Sequence, residues 1–128
     1  MFRGSVYWAD LDPIIGHEQE GNRTVIVLQP NDLFQHSPTV VIVPTTTNVS
    51  GAASKLPTSI LLKKGNGGLL EDSLALCHQI RVLDKSRFNG HSLGTIDHLA
   101  LARITEAVSY ITGIAKPPVK AAPVAIEA

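Results

Sequence analysis

Two short runs of β-branched residues most constrain the fold of this chain. They read T-V-I-V-L at 24–28 and T-V-V-I-V at 39–43, and a proline follows each run closely. Val, Ile and Thr favour extended backbone, and apolar runs this short, bounded by prolines, indicate buried strands rather than helices. The sequence therefore predicts a β core, and we expect Pro44 and the threonines after it to end the second strand.

Further strands are predicted on both sides of this core. Residues 5–11 alternate in polarity, which is typical of a strand with one buried face. Residues 65–68, Gly-Asn-Gly-Gly, predict a turn. Other extended segments are expected at 59–62, 72–79 and 81–83, and the segment D-K-S-R-F at 84–88 is expected to form a single helical turn.

One helix is predicted near the end of the chain. Asp97 is placed as its N-cap, Gly113 as its C-terminal stop, and an apolar face recurs at three- and four-residue spacing at Leu101, Ile104, Val108 and Ile111. Five or six short strands followed by a helix predict a small antiparallel barrel or sheet with the helix packed against it. We expect one domain over 1–115 and a flexible tail over 116–128, which is rich in proline and alanine.

The amino-acid composition restricts the kinds of partner that we expect this protein to bind. Eleven basic residues balance eleven acidic ones, which argues against a polybasic nucleic-acid coat or a membrane-surface patch but leaves room for a small local RNA site. Cys77 is the single cysteine, and neither a secretory signal nor an apolar stretch of membrane-spanning length is apparent. We expect a cytoplasmic protein with no membrane association.

No generic catalytic motif is present. The chain lacks a nucleophile elbow, a phosphate-cradling glycine loop and a zinc-protease motif, and its five histidines have no metal-ligand spacing. We therefore expect neither a metal nor another cofactor.

The segment G-H-E-Q-E-G-N-R at 16–23 holds the densest cluster of chemically active side chains. His17, Glu18, Glu20 and Arg23 lie just before a buried strand. The segment is either a solvated loop that enters a hairpin, or a loop that overhangs a site with Arg23 at its floor.

Four blocks of the sequence resemble the MazF/PemK toxins, the ribonuclease half of bacterial toxin–antitoxin pairs. The first block contains Arg3-Gly4, Leu11-Asp12-Pro13, Gly16-His17-Glu18-Gln19, Gly21 and Arg23. The others are V-V-I-V-P-T-T-T-N at 40–48, E-D-S-L-A-L-C-H-Q-I-R-V-L-D-K-S-R-F at 71–88, and L-G-T-I-D-H-L-A-L-A-R-I-T-E-A-V at 93–108. The blocks occur in order and in one register over about residues 3–114.

The resemblance implies an SH3-like small β-barrel of the MazF, PemK and CcdB type, assembled as a homodimer. It also implies sequence-specific, metal-independent cleavage of single-stranded RNA, including mRNA, with the substrate 2′-hydroxyl as nucleophile. A cognate MazE-like antitoxin, whose tail occupies the RNA groove, is the implied protein partner.

Two residues match the family's catalytic positions. Arg23 matches the catalytic arginine, whose planar fork suits phosphate oxygens; the alternative is a surface pair with Glu18 or Glu20. Thr46 matches the catalytic threonine, which would donate a hydrogen bond and position the reacting group. The alternative is that Thr46 only caps a turn, and a shift of one residue would move the role to a neighbouring threonine.

Other positions carry weaker implications. His17 is a candidate for proton transfer, or an ordinary surface histidine. Glu18 and Gln19 are expected to orient Arg23 or to line the RNA groove. Gln79 and Arg81 are candidate RNA contacts, although Arg81 has an alternative role in the dimer.

Four residues either differ from the family pattern or leave alternative roles open. The PemK-like branch carries an arginine and an aspartate where this chain has Leu76 and His78, so His78 either replaces the aspartate as a proton carrier or simply lines the groove. Thr24 stands where the family usually has proline, which predicts a local change without loss of activity. Trp8 is expected in the core or the dimer interface, with base stacking as the alternative.

Two rival functions remain open on the sequence. One is a non-enzymatic gyrase poison like CcdB, which acts through a C-terminal aromatic residue that this chain lacks at its P-V-A-I-E-A end. The other is an RNA-binding barrel without catalysis, suggested by the missing acid.

Overall fold

The computed structural model describes residues 1–12, 16, 18 and 21–118. The strands are β1 (Ser5–Asp10), β2 (Asn22–Val27), β3 (Thr39–Thr46), β4 (Ser59–Leu62), β5 (Ser73–Leu76), β6 (Arg81–Asp84) and β7 (Phe88–Thr95), and the helix is α1 (His98–Ile111). Short 3-10 turns lie at Asn31–Leu33, Ala52–Lys55, Asn66–Gly68, Cys77–Gln79 and Lys85–Arg87. The predicted class, mainly β with one C-terminal helix, is confirmed.

The strands pair antiparallel in the order β4-β5-β3-β2-β1-β7, and β6 also pairs with β3. The long strand β3 is therefore central, with β2 on one edge and β5 and β6 sharing the other. Within the described residues no pairing joins β4 to β7, so the sheet does not close into the predicted barrel.

Strand β3 continues through Pro44, contrary to the expectation that the proline would end it. Pro44 stands opposite Val25 of β2, and beyond it Thr45 pairs with Ala75 and Thr46 with Leu74 of β5. The new partner on the other edge explains why the strand extends past a residue that has no N–H to donate.

Both faces of the central strands are buried, in two separate clusters. Ile26 and Val43 belong to a larger cluster that also packs against α1, whereas Val25 and Ile42 belong to a smaller one. Strand β1 likewise sends Val6 to the first cluster and Ala9 to the second. The prediction of a single buried face for β1 is therefore wrong, because the sheet is covered on both sides here.

Helix α1 begins and ends where the sequence predicts. The Asp97 carboxylate accepts a hydrogen bond from the Ala100 N–H at 2.8 Å, as an N-cap does, and Gly113 has a φ of 82° just after the last turn. Ile104 and Ala107 are fully buried against the sheet. The predicted tail begins at 116, and its residues 119–128 lie outside the described part of the chain.

Arg3 fastens α1 to the sheet. Its guanidinium donates to the carbonyl oxygen of Leu28, just after β2, and to Thr105 Oγ1 of the helix at 2.7 Å. Arg3, which belongs to the first block that resembles the toxins, therefore has a structural role.

Two segments differ from the sequence predictions. Strand β7 was not predicted, because its residues F-N-G-H-S-L-G-T are mostly polar and show no alternation; it forms by backbone pairing along β1. The segment 72–79 is extended only over Ser73–Leu76 and then turns at Cys77–Gln79. The predicted helical turn in 84–88 is confirmed at Lys85–Arg87.

Candidate active site

Arg23 lies near the start of β2, where the strand emerges from the loop that begins after Asp12. It is half-buried and stands opposite Ala9 of β1. Side chains alternate along a strand, so Arg23 shares a face with Val25 and Val27, both buried in the smaller cluster. The rigid sheet therefore sets the direction in which the guanidinium leaves the backbone.

Thr46 faces the same side from the neighbouring strand. The β2–β3 register pairs Val27 with Ile42 and Val25 with Pro44, and continued by two residues it places Arg23 directly opposite Thr46. Side chains directly opposite on adjacent strands have Cβ atoms about 4.5–5.5 Å apart. The two predicted catalytic residues thus share one face of the sheet and one position along it.

The Thr46 hydroxyl is fixed by the turn that follows it. Its oxygen accepts a hydrogen bond from the Asn48 N–H at 3.2 Å, as expected for a threonine that caps a turn. This bond uses a lone pair and leaves the hydroxyl proton for another acceptor. The capping role and a donor role toward a phosphate are therefore compatible.

The neighbouring threonines are distinguished by their environment. Thr45 points to the opposite face, is 2% exposed, and has its hydroxyl within 2.5 Å of the Thr24 hydroxyl. Thr47 is exposed and lies just after the end of β3. Among the three threonines, the register favours Thr46 as the partner of Arg23.

A cleft of about 210 Å³ opens at this end of the β2–β3 ladder. Arg23 is part of its lining, whereas most other lining residues come from the face that carries Thr24. Trp8, Asn22, Thr24, Thr45 and Ser73 line it from that face, and Thr47 and Leu70 line it from segments next to the strands, whereas Thr46 is not part of the lining. Trp8 is 38% exposed, so the expectation of core packing is wrong for the single chain; an interface role and base stacking both remain.

The foot of the loop between β1 and β2 is tightly bonded. The Leu11 N–H donates to the Gly21 carbonyl, and the Gly21 N–H donates to the Asp12 carboxylate, each at 3.0 Å. Arg81 donates to the Leu11 carbonyl at 3.3 Å, and Arg87 donates to that of Asp12. Arg81 therefore holds the loop's entry, a contact that the sequence did not predict.

His78 follows β5, the strand that pairs with the end of β3. It occupies the Cys77–Gln79 turn, four positions after Leu74, the partner of Thr46, and it does not line the cleft. Partial burial lowers the pKa of its imidazole below the usual 6.5, so the ring is mostly neutral at neutral pH. Leu76, at the other departing position, is buried in β5.

Five other residues belong to the sequence predictions for the site, of which the structure describes two. Glu18 is exposed and Gln79 is half-buried. His17 and Gln19 lie outside the described residues, as does Glu20. The proposed roles of all these residues stay predictions.

A larger depression of about 520 Å³ lies elsewhere, at the N-terminus of α1. Lys63, Asn66 and Arg103 are among its lining residues, and it includes none of the predicted site residues. Size alone therefore does not mark the active site.

Within the described part of the chain, no three His, Cys, Asp or Glu side chains are grouped so that they could hold a metal ion. No helix found there is long and apolar enough to cross a membrane.

Comparison with known proteins decides the family. The model of the PemK-like, MazF-like toxin of type II toxin–antitoxin system family matches residues 2–112. The chain belongs to the PemK/MazF family. The match covers every block in which the sequence resembles these toxins, including Arg23, Thr46 and the closing helix.

Curated relatives carry the name endoribonuclease MazF. The protein of Staphylococcus saprophyticus is 35% identical over 114 residues, which cover 89% of this chain and 92% of the relative. That of Staphylococcus epidermidis is 42% identical over 85 residues, covering 66% and 69%. The first of these spans nearly the whole of both proteins.

Solved structures show the same fold. The crystal structure of MazF from Deinococcus radiodurans has a TM-score of 0.75 at 24% identity and covers 88% of this chain and 96% of its own. An endoribonuclease in complex with its cognate antitoxin, from a mycobacterial species, has a TM-score of 0.67 at 23% identity and covers 91% and 97%. The PemK/MazF fold of this chain is thus shown independently of its sequence blocks.

Proposed function

We propose that this chain is the toxin of a type II toxin–antitoxin pair and an endoribonuclease that cleaves single-stranded RNA without a metal ion. The observation that carries the proposal is the β2–β3 register, whose pairs end at Val25 and Pro44 and which, continued by two residues, sets Arg23 opposite Thr46. The relatives named endoribonuclease MazF support the same activity.

The reaction needs charge stabilisation more than a strong nucleophile from the protein. The 2′-oxygen of the substrate attacks the adjacent phosphorus, the bond to the 5′-oxygen breaks, and the products end in a 2′,3′-cyclic phosphate and a 5′-hydroxyl. Negative charge grows on the two non-bridging oxygens during the attack. Arg23 binds these oxygens through its planar fork, and the Thr46 hydroxyl donates to one of them.

Proton transfer completes the reaction. A base accepts the proton of the 2′-hydroxyl, and an acid supplies one to the departing 5′-oxygen. His17, six residues before Arg23 in the sequence, is one candidate. His78 is the other, and its lowered pKa suits a proton acceptor at neutral pH better than a donor. Glu18 is the candidate for orienting Arg23.

RNA contacts extend on both sides of the phosphate. The cleft beside Arg23 offers the Trp8 indole as a stacking surface, and Asn22 also lines it. Gln19, Gln79 and Arg81 remain the proposed RNA-binding residues. Arg81 uses one of its five N–H donors in the hydrogen bond to the Leu11 carbonyl oxygen, and the other donors can bind RNA.

We further propose a homodimer, a MazE-like antitoxin as partner, and action on mRNA in the cytoplasm. Complexes of MazE with MazF from Deinococcus radiodurans, similar in fold to this chain, support the antitoxin. Cleavage of mRNA would halt translation and growth.

The test incubates the purified chain with a long mixed RNA in excess EDTA. Defined fragments with 2′,3′-cyclic phosphate ends are expected, and a substrate with a 2′-deoxy nucleotide at the scissile position should resist cleavage. Intact RNA together with inhibited gyrase supercoiling would favour the gyrase poison. Gel retardation of RNA without cleavage at any pH would favour a catalytically inactive barrel.

A further inference from the structure

Two buried hydroxyl groups lie directly behind the candidate active site and have no part in the chemistry described above. Thr24 follows Arg23 and Thr45 precedes Thr46, and both threonines are at most 9% exposed. Buried hydroxyls are stable only when they are hydrogen-bonded. These two satisfy each other.

Two hydrogen bonds join Thr24 and Thr45. The Thr45 hydroxyl donates to the Thr24 carbonyl oxygen at 3.1 Å, and the two hydroxyl oxygens lie 2.5 Å apart. Each hydroxyl has one proton. Because Thr45 uses its proton on the carbonyl, the Thr24 hydroxyl is the donor of the second bond, to Thr45 Oγ1. The pair fixes both side chains and one main-chain group.

The pair occurs where the backbone ladder ends. Backbone pairing of β2 with β3 covers Val25–Val27 and stops at Val25 opposite Pro44. Pro44 has no N–H, so it cannot donate a ladder bond. Beyond this point the Thr45 hydroxyl bonds to the β2 main chain in place of a backbone N–H. Arg23 and Thr46 lie beyond the same point.

We propose that Thr24 and Thr45 are positioning residues, whose paired hydrogen bonds hold Arg23 and Thr46 at the separation needed to bind one phosphate. The proposal rests on the ribonuclease function proposed above. Its physical basis is that a displacement of about 1 Å at a reacting group can lower a rate by about 10²-fold. Without the pair, β2 and β3 can separate or slip at their ends.

The test compares valine and serine variants in steady-state cleavage of a short oligoribonucleotide. Valine has nearly the shape of threonine without the hydroxyl. The double variant Thr24→Val/Thr45→Val removes both hydroxyls together, so no buried hydroxyl is left unpaired, and the Thr24 carbonyl oxygen loses the bond that it accepts from Thr45. The urea midpoint should therefore fall moderately while the chain stays folded under assay conditions. We expect its kcat to fall by about tenfold or more, with KM changed by less than about twofold.

Two controls separate positioning from stability. Thr45→Ser keeps the hydroxyl and should retain kcat within about twofold. Thr39→Val removes a half-buried hydroxyl at the other end of β3 and should leave both the hydrogen-bonded pair and kcat unchanged. If the double valine variant cleaves at the wild-type kcat, or if Thr45→Ser is as slow as Thr45→Val, the positioning role is wrong although the nuclease function stands. If the wild-type chain does not cleave RNA, both proposals fail.

Discussion

The register of β2 and β3, continued by two residues past Val25 and Pro44, sets Arg23 opposite Thr46, on the side of the sheet away from the Thr24–Thr45 hydroxyl pair. The relationship follows from strand alternation and from a register fixed by three paired positions. A guanidinium and a hydroxyl from different strands can therefore approach the same phosphate. Rigid elements hold a site more accurately than loops do.

Replacing Thr46 should show whether its hydroxyl contributes to cleavage. Thr46→Val removes the hydroxyl and should lower kcat by about 10²-fold, the usual effect of losing one donor to a developing oxyanion. Thr46→Ser should recover most of the rate. Thr47→Val, one residue away and exposed, is the matched control. Equal losses in the two valine variants would assign the effect to the loop and not to the hydroxyl.

The stability of the protein should depend on His78 below about pH 6.5. Because burial lowers the pKa of the folded imidazole, the unfolded chain binds the proton first, and stability falls as the pH drops through this range. Above about pH 6.5 both states are neutral and His78 contributes no pH dependence. The difference between the urea midpoints measured at about pH 7.5 and at about pH 5.5 should be smaller in His78→Gln than in the wild type. An identical pH dependence in both proteins would contradict the lowered pKa of His78.

The thiol of Cys77 should be unreactive in the native protein. It is 0% exposed, and burial raises its pKa to about 12. Thiolates are the reactive species, so a chromogenic disulfide reagent at about pH 8 should label Cys77 only after unfolding in guanidinium. Rapid labelling of the folded chain would mean that the Cys77–Gln79 turn opens readily.

Gly68 should be far more sensitive to substitution than Gly90. Both have positive φ, +80° and +69° respectively, so alanine at either position costs about 1–2 kcal/mol of backbone strain. At Gly68 an added Cβ would also collide with the Leu93 carbonyl of β7, whereas Gly90 has open space around it. We expect Gly68→Ala to lose about 2–5 kcal/mol in the free energy of unfolding, measured by urea titration. Equal losses at both positions would contradict the close packing of this turn against β7.

Sequence patterns predicted the elements that bury side chains in a regular way. Strand β4 and the caps of α1 occur where the apolar pattern and the capping residues indicate. Strand β7 was missed because it pairs through its backbone along the edge of β1 and needs no apolar alternation. The extension of β3 past Pro44 was missed because it depends on β5, which comes much later in the chain.

The candidate site was predictable in its residues but not in its arrangement. Family resemblance selected Arg23 and Thr46, yet no spacing rule gives the register of two strands joined by a long connection. The hydroxyl pair had one sequence signal, Thr24 at a position where the family usually has proline. Its partner Thr45 could not be identified without knowing which face each threonine occupies.

A double-mutant cycle on Arg23 and Thr46 tests the central claim most directly. The measurement is kcat for cleavage of one oligoribonucleotide by the wild type, Arg23→Lys, Thr46→Val and the double variant, each verified as folded. If both residues act on one phosphate, Arg23→Lys alone should lower kcat by about 10²–10³-fold, and adding Thr46→Val should cost clearly less than it does in the wild type. Strictly multiplicative losses, or a wild-type rate in either single variant, would contradict the account.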